Sequence, residues 1–214
     1  MIVLLDNQDS FVYNLVDALV GQVDQEMVVY RNTVSAARVL GEDGGEAPDL
    51  VVLSPGPGYP ADAGCMMEVI ERAQGRIPIL GICLGYQALI EHFGGRVEPC
   101  GPEHGTSVGM ELSCAGVESG LFRGFTTGGA PGDEGRTVPV ARYHSLGTRE
   151  LPPTLTCLAR TIEMDGAGIV MAARHTTAPV VGMQFHPESV LTPYGPGILR
   201  AVTDDLAAAR ARTT

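Results

Sequence analysis

The chain has 214 residues, enough to bury a substantial core as one large domain. Its formal net charge of −11 argues against a nucleic-acid partner held electrostatically and against an anionic membrane surface. No apolar run approaches the length a bilayer demands. All 14 basic residues are arginines, and a chain without lysine cannot supply a P-loop lysine, a Schiff-base lysine or a lysine general base.

Residues 2–5 are apolar and read as a first strand. The start of the chain, residues 1–6, lacks the basic region and cleavage site of a signal peptide, so a cytoplasmic location is the expectation. Asp9 or Ser10 is a candidate N-cap for a helix patterned through Phe11, Leu15 and Leu19. Strands are expected at residues 27–30 and 50–53, a helix at 62–73, a strand at 77–82 and a helix at 85–93. Such alternation predicts a parallel sheet covered on both faces. The second half differs: residues 138–143, 155–162, 169–173 and 180–185 read as strands with short connections, which implies antiparallel pairing. A last helix is expected at 197–209. The glycine-rich stretch 124–136 predicts a mobile surface loop. No repeat or linker divides the chain, so residues 1–214 read as a single domain.

The five cysteines, Cys65, Cys83, Cys100, Cys114 and Cys157, are odd in number and widely spaced. They fit neither a disulfide framework nor a thiolate zinc site. A buried reduced thiol is the ordinary state of such a residue, and only Cys83 has surroundings that say otherwise. In Gly81-Ile82-Cys83-Leu84-Gly85 an apolar strand runs into a G-x-C-x-G turn and then a helix. That is the thiol form of a nucleophile elbow, in which small flanking residues permit a strained turn. A helix N-terminus favours the thiolate, and the Leu84 N–H is placed to meet an oxyanion.

His186-Pro187-Glu188 follows the apolar run 180–185. Residues two apart at a strand end project to one side, so Glu188 can orient the His186 imidazole as a base for Cys83. H-x-E also occurs in zinc deaminases, but these need a downstream P-C-x-x-C, and no cysteine follows His186. Ser54-Pro55-Gly56-Pro57-Gly58 follows the strand at 50–53; it is either an ordinary tight turn or a loop whose exposed N–H groups complete an oxyanion hole. All three segments lie at the C-terminal ends of expected strands, where open α/β sheets carry their sites.

The segments SPGPG (54–58), GICLGYQAL (81–89), YHSL (143–146) and QFHPES (184–189) together resemble the class I (triad) glutamine amidotransferases over essentially the whole chain. The opening Asp6-Asn7-Gln8-Asp9-Ser10-Phe11, Tyr30-Arg31-Asn32 and the stretch 60–65 are similar to the branch serving anthranilate synthase and aminodeoxychorismate synthase. The resemblance implies an α/β, flavodoxin-like three-layer fold with a central, mostly parallel sheet plus a smaller antiparallel sheet. It implies that Cys83 attacks the side-chain amide of glutamine to give a thioester and ammonia, with His186 as acid and base and Glu188 as its orienter. It further implies Gly56 and Leu84 as oxyanion donors, and glutamine contacts at Pro57, Gly58, Gln87, Ser145 and Leu146. No metal or organic cofactor is implied for this chain. The ammonia would pass to a separate chorismate-utilising synthase subunit, which would bind magnesium. That partner would be component I of anthranilate synthase, or of aminodeoxychorismate synthase as the alternative.

Three features depart from the family pattern. Tyr86 stands where the branch commonly has His, beside the nucleophile, and is expected to tune activity. His104-Gly105-Thr106 replaces His-Gly-Lys, and the loop 124–136 is longer than usual; both bear on partner docking.

Overall fold

A computed structural model describes residues 1–21, 25–101, 105–129, 135–163 and 168–212. Two consecutive βα units open the chain: β1 (Ile2–Asp6), α1 (Val12–Val20), β2 (Met27–Arg31) and α2 (Ala36–Val39). They are followed by β3 (Leu50–Leu53), a 3-10 turn (Pro60–Asp62), α3 (Met66–Ala73), β4 (Ile79–Ile82) and α4 (Leu84–His92). The second half holds β5 (Glu98–Pro99), β6 (Thr106–Leu112), α5 (Cys114–Ser119), β7 (Thr137–Arg142) and β8 (Leu146–Gly147). It ends with β9 (Leu155–Thr161), β10 (Val170–His175), β11 (Val180–Met183) and α6 (Gly195–Ala211).

One nine-stranded sheet runs in the order β2-β1-β3-β4-β11-β10-β9-β6-β7. From β2 to β11 every pairing is parallel, and from β11 to β7 every pairing is antiparallel. A separate antiparallel pair joins β5 to β8, with Pro99 opposite Leu146. Alternation along β1 sorts the two faces: Ile2 and Leu4 pack with Leu15 and Leu19 of α1 and Ile198, Leu199 and Val202 of α6. Val3 and Leu5 pack on the other face with Met66, Val69 and Ile70 of α3 and Ala88 and Leu89 of α4. Helices on both faces of the parallel half give three layers, as the sequence predicts.

Differences from the expected elements have local causes. Helix α1 begins at Val12, and Phe11, not Asp9 or Ser10, is its N-cap residue, with no side-chain cap. Asp9 instead donates its N–H to Asp6 Oδ1 at 3.1 Å and accepts the Val12 N–H at its carbonyl at 3.4 Å, which holds the residues before the helix in a turn. Helix α3 starts at Met66 because Pro60–Asp62 forms its own 3-10 turn, which Gly64 separates from α3 at φ +57°. A Cβ there would lie 2.2 Å from the Asn32 carbonyl oxygen, so only glycine fits. Strands β5, β6 and β8 and the short helices α2 and α5 are additions to the expected list. In the stretch 124–136, residues 130–134 lie outside the described residues, and a bridge from Thr127 to Thr137 ties down its nearer flank. His104 also lies outside the described residues, while Thr106 opens β6.

Candidate active site

The site is built on four adjacent parallel strands, β1, β3, β4 and β11, whose C-terminal ends stand in register. Leu5 lies opposite Leu53, Leu53 opposite Gly81, and Gly81 opposite Gly182. Each strand delivers its loop to the same edge. The chain turns from β1 to β2 on one side and to β3 on the other, so this edge is also the sheet's topological switch point.

Cys83 leaves β4 with φ 51° and ψ −99°, a left-handed conformation that costs a non-glycine residue strain. The surrounding packing imposes it. The Cys83 N–H donates to the Met183 carbonyl at 2.8 Å, and its carbonyl accepts the Gln87 N–H at 3.0 Å. A Cβ on Gly85 would sit 2.4 Å from the Leu53 carbonyl oxygen, and one on Gly81 2.7 Å from the Gly85 carbonyl oxygen. Glycine at both positions therefore lets α4 start hard against β3 and β4. Leu84, as the first residue of α4, keeps an N–H with no intrahelical acceptor. The thiol is 8 % exposed and opens into a cavity of about 460 Å³.

His186 and Glu188 do converge, by a mechanism other than strand alternation. Strand β11 ends at Met183, and residues 186–189 form a turn in which the Ser189 N–H donates to the His186 carbonyl at 3.3 Å. The turn brings His186 Nδ1 to 2.6 Å from Glu188 Oε1. A carboxylate at Nδ1 orients the imidazole, and His186 and Cys83 line the same cavity. Burial by itself opposes charge on this ring. Its interactions with Cys83 and with the Glu188 carboxylate outweigh it and hold the His186 pKa well above its usual value. A thiolate–imidazolium pair is the form a cysteine nucleophile needs. Tyr143 stacks edge-on to the His186 ring, with centroids 5.1 Å apart.

The glycine loop is bolted to the loop after β1. Asn7 N donates to Ser54 Oγ and Asn7 Nδ2 to the Ser54 carbonyl, both at 2.9 Å. Gly56 sits so close to Asn7 that a Cβ would lie 2.4 Å from the Asn7 carbonyl oxygen. Gly58 has φ +80°, which also favours glycine. Of the residues singled out in the sequence, Cys83, His186, Glu188, Gly56 and Pro57 line one cavity. Gly58, Leu84, Gln87, Ser145 and Leu146 stand outside its lining. Gln87 is 3 % exposed, and its Nε2 donates to the Leu146 carbonyl at 2.9 Å and to Gln184 Oε1 at 3.3 Å. It thereby braces the stretch 143–146 from beneath.

Several residues of the site have no role that the sequence suggests. Gln184, fully buried, points Nε2 at Cys83 Sγ, 3.7 Å away. Its place two residues before His186 was the available signal. Thr192 fixes the His186 turn, and Asp9 lines the cavity. Tyr86 turns away from the cavity into a small cluster with Ile90, Leu155 and Val170, its hydroxyl donating to the Val170 carbonyl at 3.4 Å. The cysteines other than Cys83 are free thiols, and burial pushes those of Cys65, Cys100 and Cys157 up, away from the reactive form.

A cysteine on a strained strand–helix turn, a histidine–carboxylate pair lining the same cavity and a glycine loop beside it are the parts of a cysteine-nucleophile acyl-transfer site. The family of class-I glutamine amidotransferases matches residues 3–205, and the chain belongs to it. Anthranilate synthase component 2 of Corynebacterium glutamicum is 52 % identical over 210 residues, covering 97 % of this chain and 98 % of that protein. Its counterpart in Haemophilus influenzae is 38 % identical, covering 93 % and 94 %. A pyocyanine-specific anthranilate synthase component 2 of Pseudomonas aeruginosa is 41 % identical, covering 92 % and 90 %. Among solved structures, a putative GMP synthase protein from Thermoplasma acidophilum superposes with a TM-score of 0.76 at 26 % identity, covering 99 % of this chain and 96 % of that one.

Proposed function

We propose that this chain is the glutaminase subunit of an anthranilate synthase and serves tryptophan biosynthesis. The relatives that match it over nearly their full length carry the name anthranilate synthase component 2. One observation carries the chemistry: Cys83 and His186 line one cavity, with Glu188 2.6 Å behind the imidazole. The thiolate attacks the side-chain amide carbon of glutamine. The negative oxygen of the tetrahedral adduct is met by the N–H groups of Leu84 and Gly56. His186 gives its proton to the nitrogen as the C–N bond breaks, and ammonia leaves. The same imidazole then takes a proton from water, which attacks the thioester and releases glutamate.

The glutamine side chain would enter between the 54–58 loop and the first turn of α4. Its α-amino and α-carboxyl groups would lie along residues 143–146, which Gln87 braces. Ammonia has value only if it is consumed before it escapes to solvent, so the partner is a chorismate-binding synthase subunit that uses magnesium. This chain needs no cofactor of its own for the steps above. Among the described residues no helix is long and apolar enough to cross a membrane.

The test is to purify the chain with its chorismate-using partner and assay the product from chorismate and glutamine. Anthranilate is the expected product. Formation of aminodeoxychorismate alone would move the chain to the folate branch and overturn the tryptophan assignment.

A further inference from the structure

Gln184 is fully buried, so its side-chain amide must find its partners inside the protein. Its place follows from the sheet. Met183 of β11 stands opposite Ile82 of the parallel strand β4, and the next residues along the two strands are Gln184 and Cys83. The Cys83 N–H donates to the Met183 carbonyl at 2.8 Å, and the Gln184 N–H donates to the Met171 carbonyl at 2.8 Å. Backbone bonds therefore fix the two residues as neighbours, with Gln184 Nε2 3.7 Å from Cys83 Sγ.

The direction of the amide is set as well. Gln87 Nε2 donates one hydrogen to Gln184 Oε1 at 3.3 Å and the other to the Leu146 carbonyl at 2.9 Å. A flipped Gln184 would meet that NH2 group with another, so its oxygen stays toward Gln87 and its nitrogen toward the sulfur. Gln87 is itself held in the first turns of α4, where its N–H donates to the Cys83 carbonyl at 3.0 Å. Two buried amides thus join the sulfur to the Leu146 carbonyl. A thiol sulfur is a weak acceptor, whereas a thiolate is a charged one. An N–H held against this sulfur and away from solvent favours the thiolate over the thiol. Being neutral, Gln184 leaves the proton transfers to His186.

We infer that Gln184 is a hydrogen-bond donor to the Cys83 thiolate, and that Gln87 is the positioning residue that aims it. The inference rests on the glutaminase reading above and adds two roles to it. In the first step the sulfur gives an electron pair to the amide carbon of glutamine and becomes a neutral thioester sulfur. When water attacks the thioester, the C–S bond breaks and its electron pair returns to the sulfur. The Gln184 N–H then already stands where that charge reappears, and needs no rearrangement to meet it. Because the relay ends on Leu146, a change in the stretch 143–146 is also felt at the sulfur.

The experiment alkylates the full-length chain with iodoacetamide over a range of pH and follows the Cys83 peptide by mass spectrometry, apart from the other four cysteines. Gln184→Met keeps the length of the side chain and removes the donor. The pH of half-maximal alkylation should rise by about one unit, the scale of one hydrogen bond to a charged group. Gln87→Met leaves Gln184 present but unaimed, and should raise that pH by less. In glutamate release by the complex with its synthase partner, Gln184→Met should lower kcat more than it changes KM. Gln87→Met should raise KM too, since it also frees Leu146. An unmoved alkylation profile in Gln184→Met would overturn the inference, and so would a downward shift. Should Gln184→Met not fold, as judged by circular dichroism, Gln87→Met decides, and an unmoved profile there overturns it. Alkylation needs no turnover of glutamine. A wild-type complex that releases no glutamate would instead sink the glutaminase reading, so the two failures are distinguishable.

Discussion

The Thr192 hydroxyl donates to the His186 carbonyl at 2.7 Å and accepts the Ala141 N–H at 2.9 Å. One buried side chain therefore ties His186 to β7, whose Ala141 carbonyl also accepts the His186 N–H at 3.3 Å. Thr192→Val keeps the shape and removes both bonds. It should cost about 1–3 kcal/mol of stability by stranding buried partners. With His186 less firmly placed, kcat should fall by about tenfold while KM for glutamine changes little. Urea unfolding and glutamate-release kinetics measure the two effects. Unchanged kcat would mean that the turn holds its geometry without Thr192.

Gly56 is expected to be intolerant of any side chain. A Cβ there meets the Asn7 carbonyl oxygen at 2.4 Å and Asn7 Cβ at 2.7 Å, and Asn7 is itself fixed to Ser54. Gly56→Ala must push the loop away from the oxyanion position. A kcat loss of about 100-fold is expected, the scale of losing one oxyanion donor. Labelling of Cys83 by a simple alkylating agent should survive, since the elbow is untouched.

His144 gives the fold an acid-sensitive point beside the stretch 143–146. Its Nδ1 donates to the Leu146 carbonyl at 2.8 Å, the same oxygen that Gln87 braces. Burial, helped by the positive charge of Arg142 and His186, lowers its pKa from 6.5 to about 4. The folded ring thus stays neutral where the unfolded one is protonated, and the unfolded state binds more protons between those values. Stability should therefore fall as pH drops below 6.5, by about 2 kcal/mol on reaching pH 5, and level off below about 4. His144→Asn should flatten that part of the urea-unfolding profile. A variant with the wild-type slope would show that another group carries it.

Tyr86 and Gly182 are matched in size. A Cβ on Gly182 would lie 2.3 Å from the Tyr86 ring. Gly182→Ala should destabilise the chain by about 1–3 kcal/mol through overpacking, and Tyr86→Leu in the same chain should recover part of that. Additive losses in the double variant would contradict the match.

The parallel half of the sheet was readable because its strands are short apolar runs punctuated by turn residues, as at residues 50–53 before Ser54-Pro55-Gly56. The cavity-lining residues Cys83, His186 and Glu188 could be picked out because the elbow and H-P-E are local patterns. Strand β6 was not, since Thr106–Leu112 mixes exposed and buried positions and gains its order only by pairing with β7 and β9. Thr192, Gln184 and Asp9 act across long sequence separations through single hydrogen bonds or a shared cavity, and no local spacing announces such contacts. Tyr86 illustrates the reverse case: adjacency to the nucleophile suggested tuning, but α4 turns its side chain into the core.

The most direct measurement is labelling of the chain, in complex with its synthase partner, by a diazo ketone analogue of glutamine, followed by peptide mass spectrometry. A single adduct on the Cys83 peptide is expected, blocked by excess glutamine, with Cys65, Cys100, Cys114 and Cys157 unmodified. The labelled complex should lose glutamine-dependent synthesis and keep synthesis from ammonium salt. An adduct on another cysteine, or none while the complex still makes product from glutamine, would contradict Cys83 as the source of the ammonia.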